Sequence, residues 1–158
     1  DVALGARFDA AKDAAARADL LGAIGNSAGP SLLPRIHAAL GDADLDERAA
    51  GARALRLYED DAARDLLAAT ITADREPIVR AAAIFAAGFG FDARYVEPLT
   101  KAALSDATDF VRKDAVTLLG DHHDAAATID ETLARVAKTD AKPAVRLAAR
   151  TALERAAR

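Results

Sequence analysis

The chain has 158 residues, 52% hydrophobic but only 4% aromatic, and a net charge of −4 from 21 basic and 25 acidic side chains. That apolar content supports one sizeable core and excludes a disordered chain, while the negative balance disfavours a general nucleic-acid binder, which needs a positive field. With no cysteine, disulfides, thiolate metal sites, cysteine nucleophiles and thiol redox switches are excluded together.

Apolar residues recur at spacings of three and four and no stretch keeps a period of two, so helices are expected and strands are not. Asp1 to Phe8 has no full partner helix in the register that follows. Beyond it, helices are expected near 10–24, 30–40, 45–57, 61–73, 77–88, 92–104, 109–120, 124–138 and 143–157. No run of about eighteen apolar residues without charge occurs, and nothing at the N-terminus reads as a signal peptide. A soluble protein without membrane insertion is expected, cytoplasmic or exported after signal removal. The start at Asp1 leaves open a processed protein, a fragment or an excised domain.

Val79-Arg80, Val111-Arg112 and Val145-Arg146 each open an Ala-rich amphipathic helix, and Glu47-Arg48 and Ala16-Arg17 fit the same frame. The five arginines are separated by 31, 32, 32 and 34 residues, the span of two helices and two short turns. Asp42, Asp74, Asp106 and Asp140 each precede Arg48, Arg80, Arg112 and Arg146 by six residues, and Pro77 and Pro143 lie three residues ahead of theirs, where a helix begins and a missing N–H is harmless. Gly25, Gly88 and Gly120 follow their arginines by eight, which suits a left-handed helix end. The expected fold is all-α: a right-handed solenoid of about five antiparallel helix pairs. One domain spans 1–158, with repeats at about 1–26, 27–58, 59–90, 91–122 and 123–158, the first incomplete or atypical.

This pattern resembles the HEAT repeat in its short bacterial form, which also tends to carry a proline bending the first helix, as Pro34 and Pro98 would here, eight residues before their aspartates. The resemblance covers nearly the whole chain and departs from the pattern at Ala11, in the aspartate position, and at Leu66 and Thr132, in the proline position. It implies that Asp42, Arg48, Asp74, Arg80, Asp106, Arg112, Asp140 and Arg146 form a structural ladder, each carboxylate available to backbone N–H groups of its turn and to an arginine of an adjacent repeat. HEAT-like repeats also resemble those of bilin lyases and other modifying proteins, an analogy of fold that names no active site.

Catalytic signatures are sparse. Asp121-His122-His123-Asp124 reads as a solvated turn, with Asp124 placed to cap the next helix, because adjacent residues rarely converge on one metal. His37 stands alone on a first helix. There is no His-Glu dipeptide, as in iron-binding helical-repeat oxygenases, no Gly-rich phosphate loop and no defensible Ser-His-Asp set. Helical-repeat DNA glycosylases are disfavoured by the absence of Trp and by the acidic balance, although residues 133–158 carry seven basic side chains against two acidic ones. No cofactor or metal is expected, and the protein is expected not to be an enzyme.

In a solenoid the second helices line the concave face. Packing positions are the residue before each arginine and those three, six and seven after it, which are Val79, Ala83, Ala86 and Ala87 in the third repeat. Five after the arginine come Gly22, Arg53, Phe85, Thr117 and Thr151, a variable set that reads as surface. Six of the seven aromatics lie between Tyr58 and Phe110; Phe91, Tyr95 and Phe110 are expected to pack, while Phe85 and Phe89 are either core or an exposed anchor. The expected function is protein–protein interaction or scaffolding, with Phe85, Phe89 and Thr117 as contact residues rimmed by Arg53 and Arg56, and another protein or peptide as partner. The alternative is an accessory or catalytic HEAT-like protein such as a lyase-type modifying factor, with a nucleic-acid-binding helical-repeat protein behind it.

Overall fold

A computed structural model describes every residue, Asp1–Arg158. It contains ten α-helices and no strand: α1 (Val2–Ala10), α2 (Ala14–Ser27), α3 (Leu33–Leu40), α4 (Leu45–Ala54), α5 (Asp61–Ala73), α6 (Pro77–Ala87), α7 (Val96–Ser105), α8 (Asp109–Asp121), α9 (Thr128–Thr139) and α10 (Pro143–Ala156). Successive pairs stack into an all-α solenoid. The even helices lie side by side, α2 on α4, α4 on α6, α6 on α8 and α8 on α10, and pack more extensively than the odd ones. The layer with the closer spacing lies inside a curved stack, so the even helices form the inner, concave layer.

Local chemistry sets the helix starts. Pro77 and Pro143 open α6 and α10, where the missing N–H would have been unpaired anyway. Asp13, Asp44 and Asp60 cap α2, α4 and α5 through side-chain acceptance of backbone N–H groups at 2.9–3.0 Å. In the turns before the other even helices, Asp74, Asp106 and Asp140 each accept the N–H two residues on at 2.8 Å, as Asp42 does before α4.

The same aspartates tie repeats together. Arg80 donates Nε and Nη2 to both oxygens of Asp106 at 2.6 and 2.7 Å, and Arg112 does the same to Asp140 at 2.7 and 3.1 Å. Arg48 reaches Asp74 through Nε alone at 3.0 Å, and its Nη2 is buried without a partner. Each of these arginines, and Arg146, also donates Nη1 to the carbonyl of the aspartate six residues back, at 2.6–3.0 Å. Asp42 is the exception, because Arg17 pairs instead with Glu47, a carboxylate only 2% exposed. The Arg17 guanidinium also lies over the Phe8 ring, 4.3 Å from its centroid, a cation–π contact. In the three Arg–Asp pairs no side chain is more than 12% exposed, so they belong with buried ion pairs rather than surface ones.

Several sequence-based expectations change here. The N-terminal residues do form a partner helix, α1, which packs on α2 and buries Phe8 and Gly5. Gly25 and Gly120 lie inside α2 and α8, not beyond their ends, and no glycine has a positive φ; Ala28 alone is left-handed, at φ 46°. Space explains these glycines: a Cβ on Gly25 would stand 2.6 Å from the Ala54 Cα, and one on Gly120 would stand 2.4 Å from the Ala152 Cβ. They permit neighbouring even helices to approach. Gly88 does terminate α6, but in a right-handed conformation. Pro34 and Pro98 fall in the first turns of α3 and α7, after short 3-10 turns at Pro30–Leu32 and Ala93–Tyr95. There a proline costs no hydrogen bond.

Candidate inner-face site

The register carries through to the inner surface. Val79, Ala83, Ala86 and Ala87 are buried in the core, whereas Gly22, Arg53, Phe85, Thr117 and Thr151 are all exposed. Two further rows share this face, because residues seven before and four after a given helical position lie beside it. The first row is Ala15, Asp46, Ile78, Phe110 and Ala144; the second is Asn26, Leu57, Phe89, Asp121 and Arg155. Every one of these is exposed as well. The apolar members gather on the middle of the stack: Ile78, Phe85 and Phe89 on α6, Leu57 just after α4, and Phe110 on α8.

Phe85 and Phe89 are surface residues, 55% and 54% exposed, and their rings meet edge-on with centroids 5.1 Å apart. The i, i+4 spacing makes that contact, and no neighbouring helix covers it. Phe110 corrects the expectation that it packs inside: it is 41% exposed. Its position, two before Arg112, places it in the row of Ile78 rather than on the buried side of α8. Tyr95 is buried, and Phe91 stacks on the His122 ring at 4.0 Å.

Between α6 and α8 a cleft of about 430 Å³ opens on this face, lined by Ile84, Phe85, Gly88, Lys113, Asp114, Thr117, Leu118 and Asp121. Phe85 and Leu118 supply apolar walls, and the Thr117 hydroxyl donates to the Lys113 carbonyl at 3.0 Å, leaving its oxygen lone pairs free. Asp121 is bridged to Arg155 at 2.9 Å. Asp114 makes no ion pair; the crowding of the cleft raises its carboxyl above the usual carboxylate range, partly offset by the positive charge of Lys113. Asp114 is nonetheless exposed to water. Such a cleft can hold an apolar or ring-bearing group against Phe85, with the Asp114 carboxyl beside it as a polar partner.

The two candidate rim arginines behave differently. Arg53 is exposed on the face, whereas Arg56 turns back, donating Nη1 to the Arg53 carbonyl at 3.1 Å and Nη2 to the Asn26 side chain. Arg56 therefore links α2 to the turn after α4 instead of standing free beside the phenylalanines. Of the ladder residues, Asp42, Asp74, Asp106 and Asp140 lie in the turns and Arg48, Arg80, Arg112 and Arg146 in the first turn of the even helices, and none lines the cleft.

Residues 121–124 do not share a focus. Asp121 faces Arg155, His122 stacks on Phe91, and His123 Nδ1 lies 3.3 Å from Asp124. Asp124 does not cap the next helix: a 3-10 turn over His123–Ala125 intervenes, and α9 starts after Ala127 without a side-chain cap. His37 is exposed at the edge of an outer-layer cleft between α3 and α5, which Pro30, Leu33, Pro34 and Leu66 also line. Asp114 is the residue of chemical interest that sequence reasoning passed over. Its only sequence signal was its register, two residues after Arg112 and three before Thr117.

No protein-family model matches the sequence, and no curated protein matches it. Among solved structures, it is similar to a chain of the complex of CpcE and CpcF of phycocyanin lyase from Nostoc sp. PCC7120, with 25% identity and a TM-score of 0.74. The match covers 97% of this chain and 99% of that one, so it is a likeness of whole chains and not of a shared repeat pair. It corrects the expectation that the protein is not an enzyme. That expectation rested on the lack of a catalytic motif, and a chain of the same length and fold belongs to a lyase complex. That structure contains two different proteins, and in the present chain no helix is long and apolar enough to cross a membrane.

Proposed function

We propose that this protein is a HEAT-like subunit of a lyase-type modifying factor, which works with a second protein chain and receives its protein substrate or partner on the inner face around Phe85 and Phe89. The observation that carries the reading is the end-to-end likeness to a chain of a two-protein phycocyanin lyase. The inner face adds to it. An edge-to-face phenylalanine pair, bordered by Ile78, Phe110 and Leu57, is the kind of apolar surface that a solenoid covers by binding, and the adjoining cleft sets the Asp114 carboxyl beside an aromatic wall. A lyase that modifies a protein needs both features: a surface for the macromolecule and a recess for the group being added or removed.

The test is co-expression of the chain with a phycocyanin subunit, a bilin chromophore and, in turn, each chain of the Nostoc complex. Covalent attachment is read as colour retained by the subunit after denaturing electrophoresis. Attachment in one pairing, lost on Phe85→Asp, is the expected result; no attachment in either pairing, with no complex between the chains, refutes the reading. A complex that forms and depends on Phe85 without colouring the subunit would keep the inner face as a partner surface and refute the attachment step.

A further inference from the structure

The outer layer leaves one of its inner seams open. α5 packs on α7 and α7 on α9, whereas α3 and α5 make no comparable contact. Register explains the difference. Arg94, twelve residues before Asp106, reaches back across the α5–α7 seam, donating Nη2 to the Asp61 carboxylate at 2.6 Å and Nη1 to Asp65 at 2.7 Å. Twelve residues before Asp74 the arginine's place is taken by Ala62. On α3 the place of Asp65, nine residues before the turn aspartate, is taken by Leu33. The α3–α5 seam therefore has neither the donor nor the acceptor that ties the next one.

The result is a cleft of about 600 Å³, larger than the one beside Phe85. Leu33 and Leu66 line it half-buried, and Pro30, Pro34 and Ala62 are exposed along it. Its polar residues are His37 and Asp65, both exposed. Neither is fully engaged within the protein: His37 makes no hydrogen bond, and Asp65 gives Oδ1 to Arg94 and leaves Oδ2 free. Arg94 does not neutralise that carboxylate, because its one charge is divided among Asp61, Asp65 and Asp92. Arg64 pairs with Asp92 as well, so two guanidinium groups face three carboxylates and one negative charge is in excess. No lysine or arginine lines the cleft. Carbon walls around a recess of this size suit a small molecule, and the free carboxylate oxygen at their edge selects a positive charge.

We propose that the α3–α5 cleft binds a small amphiphilic cation, an apolar or aromatic body carrying an amine or amidine. The body lies against Leu33 and Leu66, the charged head meets Asp65 Oδ2, and the His37 imidazole supplies a second polar contact. This site is on the outer layer, away from Phe85 and Phe89, and it does not depend on the lyase reading.

The probe is naphthylmethylamine, a cation at neutral pH, titrated into the full-length protein and followed by backbone amide resonances in NMR. Naphthalenemethanol and naphthylacetate are its neutral and anionic counterparts. Saturable shifts confined to α3 and α5 are expected, with a millimolar Kd, as a ligand of this size on an open cleft allows. The alcohol should bind roughly threefold more weakly, the factor that an exposed ion pair provides, and naphthylacetate more weakly still. Asp65→Asn should lower affinity for the amine by the same factor and leave that for the alcohol unchanged; Arg94 keeps Asp61 and Asp92 in this variant. Ala62→Phe, at an exposed position, should fill the cleft and abolish binding, whereas Phe85→Asp should leave it intact. Shifts on α6 and α8 instead of α3 and α5, no saturation, equal binding of amine and alcohol, an unaffected Asp65→Asn or wild-type affinity in Ala62→Phe overturns the proposal.

Discussion

Removal of the Arg112 side chain tests what holds the repeats together. In Arg112→Ala the Asp140 carboxylate, almost wholly buried, loses two donors at 2.7 and 3.1 Å and keeps the Lys142 N–H at 2.8 Å, while the Asp106 carbonyl loses its 2.9 Å contact. Breaking a buried ion pair from one side costs about 3–5 kcal/mol, and the remaining backbone bond to Asp140 places this case near about 3. For a chain of this size each kcal/mol moves Tm by roughly 2–4 °C, so thermal unfolding followed by circular dichroism should show a drop of about 6–12 °C. Asp140→Asn added to Arg112→Ala removes the stranded charge and should recover at least about 1 kcal/mol. Acid supplies an independent check. Asp140 titrates below the usual carboxylate range, chiefly through its Arg112 hydrogen bond; in Asp106 burial pushes upward, but the Arg80 and Thr108 hydrogen bonds and the arginine charges outweigh it. Carboxyls depressed in the folded state stabilise fully above their unfolded pKa, about 3.9, and that contribution fades as pH falls through the lower folded value. The wild-type Tm should therefore hold steady above about pH 5 and fall below about pH 4, with a shallower fall in Arg112→Ala. A variant that melts with the wild type at neutral pH would refute the ladder as a source of stability.

Phe85→Asp should abolish partner capture in a pull-down yet lower Tm by less than about 4 °C, since the loss is an exposed edge contact with Phe89 worth about 1 kcal/mol; a large drop would show that the ring belongs to the core. Gly120→Ala forces a methyl against the Ala152 Cβ and should cost about 1–3 kcal/mol, whereas Gly22→Ala, with open space around it, should be neutral or stabilise by up to about 1 kcal/mol. Equal melting of the two glycine variants would exclude close helix approach as the role of Gly120. Both tyrosines are pushed up to about 12, first by burial and then by nearby aspartates, Asp60 for Tyr58 and Asp92 for Tyr95. In an alkaline titration read by phenolate absorbance, neither should ionise near pH 10 while the fold persists, and the stability held by their neutral forms should fade above that pH. Ionisation of either near pH 10 with unchanged helicity would refute its burial.

Repetition made much of this molecule legible from residues alone. A side chain that recurs about every 32 residues has the same surroundings in each repeat. The arginine register therefore located nine of the ten helices, the buried positions Val79, Ala83, Ala86 and Ala87, and the variable row to which Phe85 belongs. Where the pattern breaks, the sequence is silent. The register puts Asp42 one repeat beyond Arg17 and did not reveal that Arg17 turns to Glu47 instead, a choice made between side chains of two helices. Nor did it reveal that Gly25 and Gly120 make room for Ala54 and Ala152, since a glycine needed for space and one needed for backbone rotation read alike. The exposure of Phe110 and the crowding of Asp114 arise between helices, from the gap that α6 and α8 leave on the inner face. Sequence alone thus determined the repeat and the rows it generates, which follow from local periodicity. Tertiary structure decided which members of those rows meet across the stack, because that depends on distances no single helix contains.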